Sequence, residues 1–121
     1  MVIVYGAPLL ELQRRFQGLL REDDDDPIVG AASALVVPRN PERVFLIILN
    51  LSANDVFVRP NRPAASTAGI RLDPNGGGFT VNVDQDATLP TVEWHAIATA
   101  AGSQLYFMEV FRDTEIKGSG G

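Results

Sequence analysis

The run Val44–Asn50, VFLIILN, sets six bulky apolar side chains one after another before a single amide. A segment of this kind asks for burial on both faces, or for a place at the centre of a packed sheet. It belongs to a longer stretch, Arg43 to Val58 (RVFLIILNLSANDVFV). Ser52, Ala53, Asn54 and Asp55 read as a tight turn into Val56, Phe57 and Val58, so the strands on either side are expected to pair as an antiparallel hairpin. The rest of the chain is then expected to cover this hairpin.

The size of the chain limits what can do the covering. With 121 residues it is expected to form one domain, and a domain of that size buries roughly two-thirds of the surface its unfolded chain exposes. Its 11 glycines and 8 prolines favour many turns between short strands, hence an all-β body. The formal charge of −5 supplies no basic surplus with which to displace counterions from nucleic acid, and none to hold an anionic membrane surface. No cysteine is present, so disulfides and thiolate chemistry are out of reach. No apolar run reaches the roughly 18 residues that cross a bilayer. The opening residues MVIVYGAPLLELQRR lack the pattern of a signal peptide, so synthesis in the cytoplasm is expected.

Residues 1–26 read as an arm. Val2, Ile3, Val4 and Tyr5 are β-prone and end at Gly6; so short a strand needs a sheet edge to join, its own or a neighbour's. Pro8 suits the first position of a helix. Leu9, Leu12, Phe16 and Leu19 then recur at spacings that place them on one stripe of a helix over about 8–21. That stripe requires a partner, whether the protein's own sandwich, the same segment of another subunit or a larger structure. Glu22, Asp23, Asp24, Asp25 and Asp26 would oppose the helix dipole and repel one another, so the helix is expected to stop near Arg21 and give way to a solvated linker ending at Pro27. Consecutive aspartates lack the spaced oxygen ligands and glycine turn of a calcium loop.

Residues 27–116 carry the strand signals. Ser33–Val37 is followed by Pro38, Asn40 and Pro41; Arg43–Leu51 and Val56–Val58 come next, then the proline-rich loop Arg59–Thr67. Gly69–Leu72 leads into Asp73, Pro74, Asn75 and three glycines, after which Phe79, Val81 and Val83 alternate with polar residues. Val92, Trp94, Ala96 and Ala98 alternate again, and with Gln104–Phe111 they read as a closing hairpin. The sum is an all-β, about seven-stranded antiparallel β-sandwich, jelly-roll-like, or a small barrel. Residues 117–121 form a glycine-rich tail.

Chemistry is sparse. His95 is the single histidine, so a two-histidine metal site cannot form, and no serine, carboxylate and orienting group make a triad motif beside it. Asp84 and Asp86 are best placed to stabilise a turn through the backbone. Gly76, Gly77 and Gly78 lack the lysine and hydroxyl of a phosphate loop and precede a strand rather than a helix. Trp94, Tyr106 and Phe107 are candidates for stacking on a sugar ring, although large aromatics at alternating strand positions serve a core first. No metal, cofactor or enzymatic activity is expected.

A resemblance adds to this reading. The order of an Ala/Val strand, the turn Asn40, Pro41, Arg43, a strand ending ILNLS, then VFVRP, AGIRLDPNGGGFTV, VEWHAIA and LYFMEV resembles the small β-sandwich structural proteins of tailed bacteriophage virions. It covers roughly Ala34 to Val110 and leaves the arm outside. It implies a capsid decoration or cement protein in the virion, bound to the major capsid protein or another virion protein and commonly a homotrimer. The alternative it implies is a head-fibre or tail-associated carbohydrate- or receptor-binding module, with the 59–67 loop and exposed aromatics making the contact. On the first reading the attachment residues are Val2, Ile3, Val4, Tyr5, Leu9, Leu12, Phe16 and Leu19.

Overall fold

Among the described residues, nine strand segments, each too short to stand alone, are arranged in two antiparallel sheets. The computed structural model describes residues 19–113. The strands are β1 (Leu19–Asp25), β2 (Ile28–Val29), β3 (Ala34–Val37), β4 (Arg43–Asn50), β5 (Val56–Pro60), β6 (Ile70–Leu72), β7 (Gly78–Asn82), β8 (Trp94–Ala98) and β9 (Ser103–Asp113), with a 3₁₀ turn at Leu89–Thr91. One sheet has the order β1-β9-β4-β7, with β2 following β1 along the same edge of β9; the other has the order β3-β8-β5-β6. Of successive strands from β2 onward, β5 and β6 are neighbours in a sheet, and the other connections pass from one layer to the other. This is the order of a jelly-roll sandwich.

The core lies between the layers. Leu46, Ile48, Val81, Leu105 and Phe107 from the first sheet meet Val37, Val56, Val58, Trp94, Ala96 and Leu72 from the second, all buried. Trp94 is wholly buried, its ring tilted 52° against Phe79 at 5.1 Å between centroids, and its indole N–H donates to the Leu89 carbonyl at 3.3 Å. The alternation expected for residues 92–98 is therefore present, with the even-numbered side chains Trp94, Ala96 and Ala98 inward.

Two expected hairpins do not form. β4 pairs with β7 and β9, whereas β5 pairs with β6 and β8; likewise β8 and β9 lie in opposite sheets. The reason is a polar hub that short-range pattern does not reveal. The Asn50 side chain is fully buried, and its amide donates to the carbonyls of Asn54 (2.7 Å), Leu72 (3.0 Å) and Asp73 (3.2 Å), while its oxygen accepts the Ser52 N–H and hydroxyl. Asn54 in turn donates to the hydroxyl of buried Ser103 at 3.0 Å. The turn after β4 is thereby fixed to the β6–β7 and β8–β9 connections, and the chain leaves the sheet instead of folding back beside itself.

A second hub closes the opposite end of β4. Arg43 is 2% exposed. Its guanidinium donates to Glu109 Oε1 (2.7 Å) and to the carbonyls of Pro38 (2.6 Å), Pro90 (3.1 Å) and Val92 (3.2 Å). One side chain thus joins the β3–β4 connection, the 3₁₀ turn, the entry to β8 and the middle of β9. The planar fork of arginine suits this set of acceptors as no other cation does.

The segment 19–25 also departs from expectation. It was expected to hold the last turn of a helix and a solvated acidic linker; instead Leu19–Asp25 pairs along β9 from Asp113 to Phe107. Pairing with an available edge gives a full ladder of backbone hydrogen bonds, and a strand sends successive carboxylates to opposite faces, which relieves much of the repulsion that a helix end would concentrate. Arg21 also reaches Asp113 at 2.7 Å. Pro27, which has no N–H to give, separates β1 from β2 while its carbonyl accepts from Leu105 at 2.9 Å. Among the described residues the sheet already runs from Leu19, eight residues before the expected boundary at 27. The remainder of the expected arm, including helix positions 8–18, and the tail lie outside the described residues.

Removing either hub is expected to be costly. Asn50→Ala leaves buried carbonyls without a donor and should lower unfolding stability by about 2–4 kcal/mol. Arg43→Met leaves the Glu109 carboxylate, its side chain 14% exposed, without its cation, a loss of about 3–5 kcal/mol. Urea unfolding followed by tryptophan fluorescence measures both; losses under about 1 kcal/mol would contradict the assignment of these side chains as hubs.

Candidate interaction surface

A strand that carries bulky apolar groups at every position presents half of them away from the core. In β4, Leu46 and Ile48 point inward and are buried, so Phe45, Ile47 and Leu49 lie on the outer face of the sheet. The register sets Val110 opposite Phe45, Met108 opposite Ile47 and Tyr106 opposite Leu49. Directly opposed side chains of antiparallel strands lie on one face about 4.5–5.5 Å apart, so these six residues form one stripe along β4 and β9. All six are half-buried. Of the two places expected for this run, burial on both faces or the centre of a packed sheet, β4 takes the second, between β9 and β7; among the described residues its inner face is buried and its outer face half-buried.

The stripe has an acidic border. β1 flanks β9, and Leu20, Glu22 and Asp24 stand opposite the outward residues Arg112, Val110 and Met108. Arg112 is held by Glu42, its Nε donating to Oε1 at 2.6 Å. Tyr106 donates its hydroxyl to Asp24 Oδ2 at 2.8 Å. That bond first, then desolvation, then the charge of Asp24, raises the Tyr106 phenol above its ordinary value. A charged row on a sheet edge also discourages pairing with a foreign strand.

Of the residues expected to make the attachment, Leu19 alone falls among the described ones. It opens β1 opposite Asp113 and is 46% exposed. Val2, Ile3, Val4, Tyr5, Leu9, Leu12 and Phe16 lie outside the described residues. The outer stripe was missed by the sequence reading, although its signal was visible: a six-residue apolar run exceeds what one buried face can absorb.

Other candidate positions have structural occupations. His95 Nε2 lies 2.6 Å from Glu93 Oε2 on the outer side of the second sheet. Asp86 Oδ2 accepts the Asn82 N–H at 2.9 Å, and Asn82 Oδ1 accepts from Asp84 and Gln85, so this turn is closed through the backbone as expected. A Cβ on Gly77 would strike the Asp73 backbone, and one on Gly78 the Ile48 carbonyl; close packing of the turn against β4 accounts for these glycines. Trp94 and Phe107 are buried in the core, which leaves Tyr106 as the outward member of the three aromatics considered for a sugar. Among the described residues, no group of three or more His, Cys, Asp or Glu side chains is placed to hold a metal ion, and no helix is long and apolar enough to cross a membrane.

No protein-family model matches the chain, and no curated protein matches it. Among solved structures it is similar to a protein from Bacillus endospore appendages, described as "a novel family of disulfide-linked pili", with a TM-score of 0.46 and 12% identity over 78% of this chain and 87% of that one. This chain has no cysteine with which to form such links.

The Tyr106–Asp24 contact gives a pH signature. A folded-state pKa raised above the unfolded one means that the neutral phenol is favoured by folding. Its contribution to stability is complete below the unfolded value, near 10, and is lost as the pH rises through the folded value. In a spectrophotometric titration Asp24→Ala should move the Tyr106 ionisation down toward that ordinary value and soften the alkaline loss of stability; an unmoved ionisation would contradict the contact.

Proposed function

We propose that this protein is a non-enzymatic structural component of a tailed-phage virion, a capsid decoration protein whose sandwich is a rigid knob and whose N-terminal arm fastens it to the head shell. The observation that supports the reading is a two-sheet sandwich whose described core runs from Val29 to Phe107. The apolar recurrence of Leu9, Leu12 and Phe16 in the sequence is what the reading assigns to the partner. The two-layer β body is also the architecture that the virion resemblance implies.

Burial of each of the four arm side chains, Leu19 included, against a capsid or neighbouring subunit contributes about 1.5–3 kcal/mol before ordering costs. Repetition over symmetry-related sites multiplies a modest single contact through avidity. A trimer would present three arms together, and this is the oligomer the resemblance favours. The partner on this reading is the major capsid protein or another virion protein. The alternative, a fibre- or tail-associated carbohydrate-binding module, has less support, because Trp94 and Phe107 are enclosed in the core.

Phe16→Asp sets a charge in the stripe and is expected to reduce incorporation into particles at least tenfold while leaving the unfolding transition of the isolated protein in place. Shells that lack the protein should rupture at lower temperature and under milder osmotic shock than complete ones. Normal incorporation of the variant, together with unchanged shell stability, would contradict the proposal.

A further inference from the structure

We propose that Asn75 is a site of spontaneous deamidation that the fold holds shut through the backbone carbonyl of Asn50. The proposal concerns the sandwich itself and does not depend on which assembly the protein joins. Asparagines stand at positions 40, 50, 54, 61, 75 and 82, and Asn75 alone among them is followed by glycine. A glycine has no Cβ to hinder the approach of its backbone nitrogen to the preceding side chain. In the reaction the Gly76 nitrogen gives its proton to solvent base and bonds to Cγ of Asn75. The carboxamide C–N bond breaks, and its nitrogen takes up a proton from solvent and leaves as ammonia. Water then opens the five-membered succinimide at one of its two carbonyls, which leaves aspartate or isoaspartate at position 75.

The β6–β7 turn restrains the reacting nitrogen itself. The Gly76 N–H donates to the Asn50 carbonyl at 2.6 Å, and the Asn75 N–H donates to the Ser52 carbonyl at 2.8 Å. The Gly77 N–H closes the turn by donating to the Asp73 carbonyl at 3.1 Å. Asn75 and Gly76 have φ of 62° and 115°, so the backbone on both sides of the reacting bond is held in the left-handed region. The nucleophile must lose its acceptor, and the turn its shape, before the nitrogen can be deprotonated and swing onto Cγ. The Asn50 side chain strengthens the same restraint, because its amide holds the Leu72 and Asp73 carbonyls where the turn begins. Reaction therefore waits on a local opening of this turn.

The two products have different consequences. Isoaspartate adds one main-chain atom between positions 75 and 76, and the turn has no slack to take it: a Cβ on Gly77 would already strike the Asp73 backbone. The lengthened chain gives up the bonds to Ser52 and Asn50 and releases the β6–β7 connection from the end of β4. Aspartate keeps the original path and adds a charge only.

The test uses the full chain at mildly alkaline pH, native and in urea, with peptide mapping by mass spectrometry to locate and count the products. Exchange of the Gly76 amide hydrogen is followed in parallel. In urea the product is expected at position 75 ahead of every other asparagine, and in the native protein its formation is slower by roughly tenfold or more. Ser52→Ala removes the hydroxyl that donates to Asn50 Oδ1 and to the Asn54 carbonyl, and leaves the backbone bonds of the turn in place. In this variant the native deamidation rate should rise by the same factor as Gly76 exchange. Equal rates in the native and urea samples, no preference for position 75 in urea, or a deamidation rate that does not follow Gly76 exchange in the variant would each overturn the proposal.

Discussion

The constraint on which this sandwich depends is that its central strand ends in a buried polar side chain at each end. A jelly roll sends successive strands to different layers, so ladder hydrogen bonds hold each sheet together but leave the crossovers unsecured. Arg43 and Asn50 secure them. Arg43 gathers Pro38, Pro90, Val92 and Glu109 at one end of β4; Asn50 gathers Asn54, Leu72, Asp73 and Ser52 at the other. Each satisfies carbonyls that connections would otherwise bury without donors. The apolar residues between the two hubs give the core its volume. The hubs give the connections their positions.

Local pattern revealed where strands form, because alternation and turn residues act over a few positions. Ala34–Val37, Ile70–Leu72 and the inward set Trp94, Ala96, Ala98 all lie where alternation and turn chemistry put them. Which strand lies beside which was not legible in the same way. Arg43 reaches Glu109 across 66 positions, and nothing near either residue announces the pairing. The hairpins expected at 43–58 and 92–111 rest on proximity in sequence, and the hubs override that proximity. The acidic run failed for a related reason: helix-dipole and charge-repulsion arguments are local, whereas the gain from pairing with β9 is not. The interaction face was half legible, since an apolar run without alternation states that its outer side needs cover without stating what provides it.

Among the described residues, the outer side of β4 and β9 is apolar and has no layer upon it. The acidic row of β1 borders that face and protects the sheet edge from foreign strands.

Attachment to a shell is the claim that reaches furthest, and the position of the protein in an intact particle tests it most directly. Electron microscopy of complete virions should show sandwich-sized density repeated at symmetry-related points on the outer surface of the head, with the N-terminal side of each knob, at Leu19, facing the shell. Density confined to a fibre or tail tip, or heads without such density, would contradict the account.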